Sequence, residues 1–236
     1  MTKQFYEKME SGYYHKVFTS SNPVQRYWHS GRFAKILGKL NLNENTKILD
    51  LGCGPGTLLS LIKGKYALAV GIDFDKKQID FAKSNFNNKN ITWLCGDVTK
   101  LDIKDKFDYI ICSEVIEHVP PKEADKLLHT IRGLLKSSGT AILTTPNYGS
   151  LWPIIEWFVN KLGDVDYSEQ HVNKLDIRKF EYSLRRNKFE INHVETFYII
   201  SPFLSFISFK FARFIQVFEE KLLPKFGSVI LIEATK

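Results

Sequence analysis

Cysteine is scarce in this 236-residue chain: Cys53, Cys95 and Cys112 are the whole set, odd in number and without a C-x-x-C pair. That pattern argues against a disulfide-stapled scaffold and against a thiolate zinc site. Long apolar runs are missing too. The uncharged stretch from Thr196 to Phe209 is fourteen residues, short of the roughly 20 that cross a bilayer, so no transmembrane anchor is expected. The N-terminus, MTKQFYEKME, mixes charge with aromatics and lacks the apolar centre of a secretory signal. The expected location is therefore the cytoplasm. There is no dense Lys/Arg block, no internal repeat, no low-complexity tract and no polar linker. A solenoid or a basic nucleic-acid tail is not expected, and the chain reads as one domain.

What is present is a composition of 44% hydrophobic and 25% charged residues with a net charge of +7. The first suits a substantial buried core, and the second favours anionic partners. From Thr46 short apolar runs alternate with helical patterns. KILDLG (47–52), ALAVGID (67–73), ITWLCGD (91–97), FDYIICS (107–113) and TAILTTP (140–146) read as strands mostly buried on both faces, and GTLLSLIKG, KKQIDFAKSNF and KEADKLLHTIRGLL as helices between them. Such alternation builds βαβ units and a parallel sheet. Residues 1–45 form an expected helical cap, with NPVQRYWHSGRFAKILGKL its clearest helix; 46–146 form the core. Within 147–236 follow two helices, the strand FEINHVETF, a Phe-rich insert at 198–226 and the strand GSVILIEATK.

The first strand-to-helix junction is ILDLGCGPGTL (48–58). Gly52, Gly54 and Gly56 permit a tight turn and close approach of backbone to a ligand. Asp50 lies at the end of the first strand, Asp73 at the end of the second, and Asp97 at the end of the third. An acid about 20 residues beyond the glycines is placed to take the two hydroxyls of an adenosine ribose.

Taken together, D-x-G-x-G-x-G, the acid after the second strand and the G-D pair after the third resemble a class I S-adenosylmethionine-dependent methyltransferase, closely over 45–145 and loosely beyond. A dinucleotide dehydrogenase would carry G-x-G-x-x-G, whereas the third glycine comes one position early here. The resemblance implies a Rossmann-like, doubly wound α/β fold with seven strands in the order 3-2-1-4-5-7-6, the last antiparallel. It implies S-adenosylmethionine as cofactor: Asp50, Gly52, Cys53, Gly54 and Gly56 at the methionine moiety, Asp73 and Phe74 at the ribose, Asp97 and Val98 at the adenine, and Ser113 and Glu114 beside the cofactor. Arg32, eighteen residues before Asp50, matches a carboxylate-binding arginine in ubiquinone-biosynthesis O-methyltransferases, the methyltransferase type 11 group that the chain resembles.

The stretch CSEVIEHVPP adds Glu114, Glu117 and His118 at the end of the fourth strand. On a helix, positions i, i+3 and i+4 share one face. With His171 these residues could ligate Mg²⁺, Mn²⁺ or Zn²⁺, as the resemblance to ubiquinone-pathway and small-RNA terminal 2′-O-methyltransferases implies. Alternatively His118 or His171 is a general base without a metal. In a third reading the cluster is structural, with Ser113 capping a helix and the two glutamates favouring its N-terminus. His15, His29, His129 and His193 are assigned no chemistry, although His29 lies three residues from Arg32.

The expected reaction is O-methylation of a small, apolar, quinone-like or lipid-like acceptor. The alternatives are RNA-terminal 2′-O-methylation, suggested by LTTPNY (143–148) with a downstream His, and N-methylation of a small molecule. The chain lacks a basic stripe with stacking aromatics, which disfavours nucleic acid. The insert 198–226 holds seven of the eighteen phenylalanines. Phe203, Ile207, Phe211, Phe214 and Phe218 fall at the spacing of one helical stripe, suited to core packing, a homodimer interface or the inner face of a membrane.

Overall fold

The computed structural model describes residues 9–101, 103–162 and 170–236; the first eight residues of the expected cap lie outside that set. The elements follow in the order α1 (Tyr13–Phe18), α2 (Pro23–Gly38), β1 (Lys47–Leu51), α3 (Thr57–Ser60), β2 (Leu68–Asp73), α4 (Lys76–Asn85), β3 (Ile91–Cys95) and β4 (Phe107–Ser113). After a 3₁₀ turn at Ile116–His118 come α5 (Pro121–Leu134), β5 (Leu135–Pro146), α6 (Trp152–Leu162), α7 (Ile177–Arg186), β6 (Glu190–Phe197), α8 (Ser201–Leu204), α9 (Phe209–Leu222) and β7 (Val229–Thr235). The strands form one sheet in the order β3-β2-β1-β4-β5-β7-β6, with β7 antiparallel to both neighbours. This is the expected doubly wound α/β order.

Two layers of helix follow from the period-two alternation of the strands. Leu49, Leu51, Val70, Ile72, Ile110 and Cys112 face one cluster, completed by Leu127 and Ile131 of α5 and by Phe180 and Leu184 of α7. Their neighbours Ile48, Ala69, Ile111 and Ile142 face the other, against Ile36 of α2, Ile79 and Ala82 of α4 and Ala212 of α9. Leu127, Ile131, Phe180 and Leu184 are completely buried, each contributing roughly 1.5–3 kcal/mol relative to exposure. Helix starts are set locally. Asn22 accepts from Val24 and Gln25 N–H, Asp75 from Lys77, and Asp176 from Lys179, each a cap worth about 1 kcal/mol.

Three expectations need correction. β3 is an edge strand, and Trp93 is its one buried side chain, because β3 has a neighbouring strand on the β2 side alone. The GTLLSLIKG helix is a single turn, α3, whose glycine start at φ 78° is followed by exposed chain from Lys63. The stripe through the Phe-rich insert does not run on one helix. Ser208 accepts from Lys210 and Phe211 N–H, so a new helix starts there and α8 and α9 are separated.

Candidate active site

The carboxyl ends of β1, β2 and β4 open into a cavity of about 610 Å³, also walled by α2 and the start of α6. Its floor is the glycine loop. Gly52 and Cys53 donate their N–H groups to Ile72 O at 2.8 and 3.0 Å, folding the chain back over β2. Gly52 and Gly56 have φ of 74° and 78°, and a Cβ on Gly56 would come within 2.5 Å of the Trp93 ring. A side chain is excluded there on both counts.

Two acids flank the loop. Asp73 accepts from Gly54 N–H at 2.8 Å and from Asp75 N–H at 2.9 Å, and burial raises its pKa against those bonds. Asp50 is buried, and its Oδ2 has no hydrogen-bond partner among the described residues. Its pKa is pushed up to about 7, by burial first and then by Asp73. An unsatisfied buried carboxylate oxygen beside a ligand-sized cavity fits a cationic group. Cys53, Phe74, Asp97, Val98, Ser113 and Glu114 also line the cavity. Asp97 stands at its more open end, its Oδ1 taken by Thr99 N–H and hydroxyl.

α2 brings Arg32 in from the opposite side. Its side chain is buried, its Nη1 lies 3.4 Å from Glu114 Oε2, and its Nε is unpartnered among the described residues. His29 lines the same wall and is within 3.3 Å of Arg32. Burial, then the Arg32 charge, push its pKa down to about 3.

The expected helical face at Glu114, Glu117 and His118 does not form. Glu114 is in the left-handed region at φ 55°, and helical geometry begins at Ile116. Strain of this kind, on the order of 1–3 kcal/mol, clusters at functional sites. Nor does Ser113 cap a helix: its hydroxyl is paired with Thr144 Oγ1 at 2.8 Å. The Glu114 carboxylate accepts from the same Thr144 hydroxyl at 2.8 Å, which separates it from the other two.

Glu117, His118 and His171 do meet, with one ligand-type atom from each within 4.8 Å of the others. Glu117 is 1% exposed, takes one bond from Thr145 Oγ1 at 3.2 Å, and has an Oε1 without a hydrogen-bond partner among the described residues. Burial, then Glu114, hold its carboxyl well above the usual range. His118 Nδ1 is 3.2 Å from Gln170 O. Burial, then His171, push its pKa down to about 4, so it is neutral at pH 7. His171 Nδ1 lies 2.5 Å from Glu156 Oε1, and Tyr148 donates its hydroxyl to the same oxygen at 2.7 Å.

Glu156 and Tyr148 hold His171, and Trp28 and Trp152 line the cavity with ring centroids 5.6 Å apart; sequence reasoning had assigned none of the four a role. The one available signal was Glu156, the single acid in the otherwise apolar WPIIEWFV. His15 pairs with Thr57 Oγ1, while His129 and His193 are exposed and away from the cavity.

Comparison with known proteins bears on what such a cavity is for. Residues 48–139 match the family model described as a methyltransferase domain. Over 169 residues the chain is 29% identical to the ubiquinone biosynthesis O-methyltransferase of Coxiella burnetii, covering 61% of this chain and 71% of that one. Residues 48–139 thus carry a methyltransferase domain, and the chain is similar to the class I S-adenosylmethionine-dependent methyltransferases.

Solved structures of methyltransferases share the fold. The magnesium protoporphyrin IX methyltransferase of Synechocystis, with bound S-adenosylhomocysteine, superposes at TM-score 0.66 with 18% identity, covering 94% of this chain and 92% of that one. A methyltransferase of Haloferax volcanii, solved with the activator Trm112, gives 0.70 at 16% identity, covering 98% and 96%. S-Adenosylmethionine is the methyl donor that these likenesses support. Its positive ammonium and negative carboxylate have complements in the unsatisfied Asp50 Oδ2 and Arg32 Nε.

Proposed function

We propose that this methyltransferase methylates oxygen on a small, largely apolar acceptor that carries a hydroxyl, of the quinone-precursor or lipid-precursor kind. The observation that supports this most is the convergence of Glu117, His118 and His171 on one spot of a cavity whose wall also includes Trp28, Phe33, Val119 and Trp152. An aromatic wall admits an apolar body, and a cluster of proton-accepting atoms meets the hydroxyl that must lose its proton.

S-Adenosylmethionine supplies an electrophilic methyl for in-line displacement. In this reading Asp50 takes its ammonium group, Arg32 its carboxylate, Asp73 the ribose hydroxyls, and the Asp97–Val98 segment frames the adenine. Gly52, Gly54 and Gly56 let the backbone approach, while Glu114 keeps Arg32 in place. Phe74, Cys53 and Ser113 close the pocket around it.

The Glu117, His118 and His171 set also fits a divalent cation. An oxygen without a hydrogen-bond partner among the described residues, a neutral imidazole, and a second imidazole oriented through Nδ1 by a carboxylate form the donor set that Mg²⁺, Mn²⁺ or Zn²⁺ accepts. Such an ion would lower the pKa of a coordinated hydroxyl. Without it, His171 backed by Glu156 is the group placed to take the proton. Two imidazoles and a buried carboxylate then act as one unit.

The test is S-adenosylhomocysteine release with apolar phenol, catechol, carboxylate and amine acceptors, with and without EDTA. Hydroxyl acceptors should turn over, EDTA should abolish the reaction, and added Mg²⁺, Mn²⁺ or Zn²⁺ should restore it. Glu117→Gln should reduce kcat at least 100-fold, within the range general acid–base groups contribute. Turnover of amines alone would refute O-methylation. Full activity in EDTA would assign the proton to His171 without a metal.

A further inference from the structure

The chain between β6 and β7 presents a surface that neither the cavity nor the sheet explains. Phe206, Ile207, Phe214, Val217, Leu222 and Phe226 are exposed there, Ile207 at 74% and Leu222 at 70%. Apolar residues scattered singly over a surface need no explanation, but six large ones within 21 residues of one segment do.

Charge on the same segment is sorted by direction. Its two acids turn inward: Glu219 is buried and accepts from the N–H groups of Ile199, Ile200 and Ser201, and Glu220 pairs with Lys35 of α2 at 3.2 Å. Its cations turn outward. Lys210, Arg213, Lys221 and Lys225 are all exposed, and among the described residues none has an acidic partner within ion-pair distance. Apolar side chains interleaved with unpaired cations, and no outward acid, describe one side of an interface whose other side is apolar beneath and anionic above.

We propose that α8, α9 and the loop to β7 dock on the surface of an anionic lipid bilayer. α9 is fourteen residues long, about 21 Å at 1.5 Å per residue, against roughly 30 Å of hydrocarbon. No helix among the described residues is long and apolar enough to cross a membrane, so the segment lies in the interface plane. A second copy of the chain is the other partner an apolar face might serve. A two-fold contact, however, would gather the four cations of both copies into one interface, at an electrostatic cost that a lipid headgroup reverses.

The docked face is fastened to the cavity wall. Tyr198, fully buried, donates its hydroxyl to Tyr27 O and Trp28 O of α2, the helix that carries Trp28 and Arg32 into the cavity. Docking therefore brings the acceptor wall close to the membrane, although the proposal itself rests on the surface and not on the acceptor chemistry.

Flotation of the intact protein with vesicles tests it, using phosphatidylcholine alone or mixed with phosphatidylglycerol. The protein should float with the mixed vesicles at low salt, float much less with phosphatidylcholine, and be released by high salt. Lys210→Gln/Arg213→Gln should weaken the partition about 30-fold, from roughly fivefold per cation, and Phe206→Glu/Phe214→Glu at least tenfold. S-Adenosylmethionine binding should be unchanged in both. The lysine–arginine variant alters only exposed side chains and keeps the test valid if the phenylalanine variant fails to fold. Absence of flotation at low salt, or flotation unaffected by either variant, would overturn the proposal. So would a concentration-dependent dimer that Phe214→Glu dissolves, which would give the face to a second copy.

Discussion

Asp50 is where burial and function pull hardest against each other. Its folded pKa of about 7 lies above the ordinary 3.8, so between those values the folded protein binds a proton that the unfolded chain has lost. Stability from this group is full below pH 3.8 and falls as pH rises through 7. His29 acts in the opposite sense, with a folded pKa of about 3 against 6.5, and its contribution is lost as pH falls below 6.5. Above pH 6.5 the His29 contribution is nearly complete, while Asp50, like the raised Glu117, is still changing. The ligand-free protein should lose thermal stability from pH 6.5 to 8, and Asp50→Asn should flatten that slope by about 0.8 kcal/mol, the part of a full effect of about 4 kcal/mol that falls in this window. The same variant should bind S-adenosylmethionine much more weakly. Thermal melts of both proteins across this range, with calorimetry of cofactor binding, check it; an unchanged slope would show that Asp50 is ionised through other compensation.

At the scale of elements, the break at Ser208 and the burial of Glu219 define how the insert folds. Glu219 receives three backbone N–H bonds and the Ser201 hydroxyl at 2.6 Å, so one side chain of α9 supplies the acceptors that the buried start of α8 lacks. Removing it as Glu219→Ala leaves three amides without their acceptor. At about 1–3 kcal/mol per unsatisfied buried group, partly relieved by water, the loss should be about 3 kcal/mol in urea denaturation. Glu219→Gln keeps one acceptor oxygen and should cost clearly less. If the two variants unfold at the same urea concentration, the capping role is wrong. The helical spacing of phenylalanines through this insert was legible in sequence. That the spacing is interrupted was not, because Ser208 reads equally as a helix interior or a cap until the turn before it is seen.

For the whole molecule, the cavity is made by two layers that the chain brings together over long separations. α1 and α2 close over strand ends that lie far from them in sequence. Gly12 N–H reaches Gln78 Oε1, His15 reaches Thr57, and Arg32 reaches Glu114. Binding of S-adenosylmethionine should therefore slow amide hydrogen exchange over 13–38 as well as in the glycine loop, while the amides of β4 and β5, deep in the sheet, change little. Protection confined to the glycine loop would show that the N-terminal helices do not cover the cofactor.

The strands, the glycine loop and the acids after β1, β2 and β3 were determined by the sequence itself, because each depends on local rules: a buried strand must be apolar, a turn at positive φ must be glycine, and a strand-end acid meets whatever binds there; the strand order came only with the family resemblance those motifs carry. Tertiary structure decided the rest. It put Glu114 in the left-handed region, apart from Glu117, and brought Glu156 and Tyr148 to His171. It also stood Trp28 against Trp152 and turned the two acids of α9 inward and its cations outward. These depend on packing between residues 15 to 185 positions apart, such as Trp28 and Trp152, 124 positions apart, where no local spacing carries the information and burial settles which polar group finds which partner.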